Sequence, residues 1–137
     1  MQVHLSFIAA IVAFSAYVAA APTAAALIKR GESYSGTATW YKPATEGGPK
    51  GACDGQHIDD DSPIVALNKD QYGDLDSKSD MCGSKIKIKG EAGEATATIV
   101  DACPECHHGD LDLTPTLFKK VVGDMDIGEG DITWEVV

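Results

Sequence analysis

Four cysteines, Cys53, Cys82, Cys103 and Cys106, sit in a chain of 137 residues whose first 21 contain no Lys, Arg, Asp or Glu. Residues 7–21 are almost wholly apolar and end in Ala19-Ala20-Ala21, the pattern of a secretory signal with small residues at its cleavage site. The run is short of the about 20 apolar residues that a bilayer crossing needs. An even cysteine count behind such a leader reads as two disulfides in an oxidising, extracellular setting. The chain has room for one domain, with a core small enough that covalent staples matter. Four cysteines admit three pairings and the sequence does not choose among them; we favour Cys53–Cys82 with Cys103–Cys106.

A second processing signal follows at Lys29-Arg30, a dibasic pair ahead of the polar Gly31-Glu32-Ser33. Proteolysis concentrates in such exposed polar linkers. The expected organisation is therefore a signal peptide over residues 1–21, a propeptide over 22–30 and one mature domain over 31–137. All 21 acidic residues lie in that domain, against nine of the 11 basic ones. A strong negative field disfavours nucleic acid and anionic membranes as partners and suits a soluble monomer outside the cell. The lone asparagine, Asn68, is followed by Lys69-Asp70, so there is no N-glycosylation sequon.

Residues 34–41, rich in Thr, Trp and Tyr, suit a strand. Residues 42–57 are rich in glycine, with two prolines and Cys53, and read as a long loop. Residues 64–67 form a short buried strand or helical turn. The acidic stretch 70–80 reads as another loop. Residues 85–89 alternate Lys and Ile without a break, a strand with one wet face. A turn at 90–93 leads to a further strand over 94–100, and residues 101–110 read as a loop. Thr114-Pro115 opens a short helix to about Val122, with Thr at the N-cap, Pro at the first helical position, lysines in the last turn and Gly123 beyond. Residues 131–137 close the chain as a strand with Ile132, Trp134 and Val136 on one face. Five or six short strands, one helix and long irregular loops suggest a small closed barrel.

The most informative stretch runs from Val100 to Pro115. Asp101 ends an apolar strand, and Asp112 sits between Leu111 and Leu113 just before the helix cap. A carboxyl flanked by buried leucines is partly desolvated, which raises its pKa and suits a general acid. If Asp101 and Asp112 converge, they form the two-carboxylate arrangement of glycoside chemistry. The same placement also suits a structural carboxylate accepting hydrogen bonds from loop amides near the helix start.

Three segments together resemble the expansin-like, rare lipoprotein A-like double-psi β-barrels, the group that takes in small fungal loosenins, barwin-type proteins and family-45 endoglucanases. The first is Gly36-Thr37-Ala38-Thr39-Trp40-Tyr41. The second is the 100–115 stretch, with Asp101 eleven residues ahead of Asp112 in Asp112-Leu113-Thr114-Pro115. The third is the closing Ile132-Thr133-Trp134-Glu135-Val136-Val137. Ala66-Leu67-Asn68 and Met81-Cys82-Gly83 add to the match, which spans about residues 33–137. The resemblance implies a mainly β fold: a six-stranded, disulfide-stapled double-psi barrel with one or two short helices. It implies a polar groove at Thr39, Asp101 and Asp112, with Asp112 the residue tied to wall loosening. It implies loosening of cellulose, chitin or peptidoglycan-like polymers without hydrolysis. The neighbouring reading is a glycoside hydrolase or lytic transglycosylase-like enzyme, with Asp112 as acid and Asp101 as base.

Two departures from the pattern matter. A tyrosine present two residues after the first Asp in some bacterial expansins is Cys103 here. The expansins' second, β-sandwich binding domain has no counterpart up to Val137, so weaker affinity for crystalline polymer is expected. Trp40 and Tyr41 are the candidate sugar-stacking residues; strand alternation places only one of them on the groove side, with a core role for the other.

The Cys-x-x-Cys with His107 and His108 has zinc-like spacing, but a second ligand pair would have to come from Cys53, Cys82 and His57, and the disulfide reading is preferred to a metal. No G-x-G-x-x-G fingerprint supports a flavin or other cofactor, and none is expected. The rival to a polysaccharide role is a protein-interaction module, a protease inhibitor or effector that meets a host or target protein through the 42–57 and 70–80 loops.

Overall fold

The computed structural model describes residues 31–46 and 50–137. The expected signal peptide and propeptide lie outside the described residues. Six strands close into a barrel: β1 Ser33–Trp40, β2 Ile64–Asn68, β3 Lys85–Gly90, β4 Glu94–Cys103, β5 Leu111–Leu113 and β6 Gly130–Val136. Their order around the barrel is β1-β5-β2-β4-β3-β6. The β1–β5 and β2–β4 pairs are parallel, and the other four are antiparallel. This pairing is unchanged when β1, β2 and β3 exchange places with β4, β5 and β6, so the two halves are related by a pseudo-twofold.

Period-2 patterning drives the closure. Ile86 and Ile88 of β3 and Ala95, Ala97 and Ile99 of β4 turn inward, while the lysines of β3 face out. Leu111 and Leu113 of β5, Val65 and Leu67 of β2, and Ile132 and Trp134 of β6 fill the interior with them. Full burial of each such large side chain contributes about 1.5–3 kcal/mol. The Trp134 indole N–H donates to the carbonyl of Gly109 at 2.9 Å, so its one polar atom is satisfied.

Helix α1, Lys69–Tyr72, stands where the acidic sequence reads as loop. The Asn68 side chain accepts from the Gln71 amide at 2.9 Å and caps it, while Tyr72 is buried. Helix α2, Pro115–Val121, is the expected one, with Pro at its start and Lys119 and Lys120 in its last turn. Thr114 occupies the N-cap position, but its hydroxyl donates to the Ser62 carbonyl at 2.8 Å instead of capping. A 3-10 turn at Met125–Ile127 precedes β6. Among the described residues no helix is long and apolar enough to cross a membrane.

The disulfides join Cys53 to Cys82 and Cys103 to Cys106. The first fastens the 50–58 loop to the segment before β3. That loop packs on the outside of the barrel, where Ile58, Ile64 and Val100 form a small second cluster.

Candidate functional site

A β-bulge determines where Asp101 points. The β2–β4 register runs Val65 to Ile99 and then Ala66 to Asp101, skipping Val100. Strict alternation would have sent Asp101 inward behind Ile99. The extra residue reverses the phase, so Asp101 emerges on the outer face and Ala102 packs against the core. On β5, Asp112 is the outward residue between the inward Leu111 and Leu113.

Register then assembles the site. Thr39 pairs with Asp112 across β1–β5, Asp112 with Ala66 across β5–β2, and Ala66 with Asp101 across β2–β4. Thr39, Asp112, Ala66 and Asp101 therefore form one row across four adjacent strands. The two aspartates stand two strand spacings apart, about 10 Å between backbones. Ala66 between them has a side chain too small to fill the gap. Two adjoining cavities of about 430 and 400 Å³ lie over the row and share Cys103, Glu105 and Asp112. A larger depression, about 660 Å³, lies over β1, β6 and β3 and contains neither aspartate.

The two carboxyls are held differently. Asp101 accepts from the Tyr41 hydroxyl on Oδ2 at 2.9 Å, and from the amides of Ala52 and Ala102 on Oδ1, both at 2.9 Å. Asp112 accepts from Thr39 Oγ1 on Oδ1 at 3.0 Å. Burial pushes the Asp112 carboxyl up to about 6; the Thr39 hydrogen bond opposes this, and the charges of Asp101 and Glu46 add to it. Burial first, and then the adjacent Asp101, push the Tyr41 phenol up, so it stays a donor throughout the ordinary pH range.

Of the residues singled out from sequence, Thr39, Asp101, Asp112 and Tyr41 line the cavities, as do Cys103 and Cys106. Trp40 does not. It packs against the barrel core, its indole N–H donates to the Met125 carbonyl at 3.0 Å, and Lys42 lies over its ring. Alternation along β1 turns it to the side opposite Thr39, so Trp40 serves the core and, contrary to the sequence expectation, is not placed to stack on a sugar in these cavities. Cys53 and Cys82 line neither cavity, although the Cys53 amide donates to the Val100 carbonyl, one residue before Asp101. Glu46, Ala66, Glu105, Asp110 and Glu129 also line the cavities and were missed. Four lie in loops or at strand edges, where period gives no direction; Ala66 is masked by its apolar neighbours. His107 and His108 are exposed, and the His108 ring stands edge-on to Tyr34. Among the described residues no group of His, Cys, Asp or Glu is arranged to hold a metal.

No family model matches the chain. Among curated proteins, Expansin-YoaJ of Bacillus subtilis is 35% identical over 80 residues, which is 58% of this chain and 34% of that protein. The chain spans between 34% and 48% of the length of the first curated relatives it matches. Among solved structures, the Clavibacter michiganensis expansin is 27% identical with a TM-score of 0.65, covering 77% of this chain and 50% of that one. A point mutant of that expansin was solved in complex with cellohexaose. The Streptomyces papain inhibitor is 26% identical with a TM-score of 0.65, covering 80% of this chain and 98% of that one. The strand order, the two parallel ladders and these likenesses together define an expansin-like double-psi β-barrel.

Proposed function

We propose that this is a secreted protein that binds cell-wall polysaccharide along the Thr39–Asp112–Ala66–Asp101 row and loosens it without hydrolysis. The observation that carries the reading is the row itself, an open trough with hydroxyl and carboxyl groups along its floor. The neighbouring expansin captured with cellohexaose supports a glycan as its occupant. A carboxyl raised to about 6 both donates and accepts hydrogen bonds under mildly acidic conditions, and so competes for the bonds that hold one sugar chain to the next. Inverting cleavage requires a second carboxylate free to hold a water. Both oxygens of Asp101 are already engaged by Tyr41, Ala52 and Ala102, which favours loosening over cutting.

The test is depletion of the purified protein by cellulose, chitin and peptidoglycan, with reducing ends measured in the same tubes. Binding without release, weakened by Asp112→Asn, is expected. Release that vanishes in Asp112→Asn would make the protein a glycan-cleaving enzyme. Binding to none of the three would sink the polysaccharide reading.

A second reading rests on the near-complete coverage of the papain inhibitor. A protein-interaction module would use its loops, so inhibition of papain that survives Asp112→Asn would favour it.

A further inference from the structure

The trough is walled by carboxylates. Glu46, Asp101, Glu105, Asp110, Asp112 and Glu129 line its two cavities, and no Lys, Arg or His does. The two ion pairs among the described residues, Lys78–Asp54 and Lys87–Glu94, involve none of the six. Lys85, Lys87 and Lys89 stand on β3, which is not among the four strands that floor the trough. The β3 lysines therefore stand away from the trough, and no basic side chain among the cavity-lining residues neutralises its acids. The acids feel one another, since the charges of Asp101 and Glu46 both disfavour ionisation of Asp112. A cation entering relieves that repulsion, and an anion adds to it.

Building on the polysaccharide reading, we infer that the trough prefers a glycan bearing free, protonated amino groups, a polymer of deacetylated hexosamine, over neutral chains, and rejects uronic-acid polymers. The trough's shape places the sugar chain, and the surrounding carboxylates select it by charge. Glu105 and Glu129 are both exposed on the rim, where a ligand amine can meet them without desolvating a buried charge. One exposed charge pair changes an equilibrium by up to about fivefold, so two together account for about tenfold.

The experiment is calorimetric titration of the protein with four soluble hexamers: of glucosamine, N-acetylglucosamine, glucose (cellohexaose) and galacturonate. Mildly acidic pH and low salt keep the amines charged. An acidic protein attracts any polycation, so two variants of equal net charge are compared. Glu105→Gln/Glu129→Gln alters the trough rim; Asp80→Asn/Glu91→Gln removes two exposed charges outside the cavity linings. We expect the glucosamine hexamer to bind about tenfold tighter than either neutral hexamer. That advantage should be lost in the rim variant and kept in the surface variant. Equal affinity for amino and neutral hexamers overturns the inference and leaves the polysaccharide reading standing. Equal loss in both variants overturns it too, as does tightest binding of the galacturonate hexamer. Binding of no hexamer overturns the inference, and the polymer depletion test then decides the polysaccharide reading.

Discussion

Thr39 Oγ1 donates to Asp112 Oδ1 at 3.0 Å across a register pair of the parallel β1–β5 ladder, joining residues 73 positions apart. The bond favours the ionised carboxyl and so holds its pKa below where burial alone would put it. Thr39→Val removes the donor while keeping the shape. The Asp112 carboxyl should then titrate above about 6 in a carbon-13 NMR titration. An unchanged or lower value would show that the hydroxyl is not its partner in solution. The stability cost should be about 1 kcal/mol.

Asp112 makes folding depend on pH in a defined direction. Its carboxyl is raised from 3.8 to about 6 in the folded state, so the folded chain binds the extra proton between those values. Stability from this group is full below the unfolded value and falls as pH rises through the folded one, by about 3 kcal/mol in all. Asp112→Asn should therefore be more stable than the parent at neutral pH, with the gain shrinking on acidification. Urea unfolding at neutral and at acidic pH measures both. A variant less stable at neutral pH would contradict the assignment.

The two disulfides should contribute unequally. Cys53–Cys82 spans 29 residues and Cys103–Cys106 spans three. Loop-closure entropy gives about 3–4 kcal/mol for the first and under about 2 kcal/mol for the second. Paired Cys→Ala variants compared by denaturant midpoint should follow that order. If the trough binds glycan as proposed, the Cys103–Cys106 variant should also lose that binding beyond its loss of stability, because both cysteines line the trough.

Gly109 has a positive φ of 89°, and a Cβ built there meets the Ser35 carbonyl on β1. Gly109→Ala combines backbone strain with a clash against main chain. It should cost more than about 2 kcal/mol and displace the carbonyl that Trp134 uses. Thermal unfolding monitored by tryptophan fluorescence reads both effects.

What could be read from the sequence divides along physical lines. Strands β3 and β6 were legible because Ile86, Ile88, Ile132 and Trp134 repeat with period 2 on one buried face. Helix α2 announced itself through Thr114-Pro115 and its terminal lysines. Strand β5, at three residues, is too short to carry a period, and its pairing is set by neighbours distant in sequence. Helix α1 hid in a polar stretch, held by the Asn68 cap and the buried Tyr72 rather than by any apolar stripe. Asp101 and Asp112 stand out locally, as carboxyls at the end of an apolar strand and between two leucines, whereas Thr39 is marked only by the resemblance of whole segments. The bulge at Val100 that aims Asp101 outward leaves no mark in the local pattern, since alternation there predicts the opposite face. Trp40 and Tyr41 show the same limit: alternation says that they part, and only the barrel says which way.

The row of Thr39, Asp112, Ala66 and Asp101 draws its members from four strands that are neighbours in space and scattered along the chain. No hairpin or half-barrel contains it. A chain caught partway through folding therefore holds no weakened version of the trough, and ligand binding by this protein should appear in a single step with barrel closure. Mutations that merely slow closure, far from the trough, would then be indistinguishable from loss of function until the chain was given time.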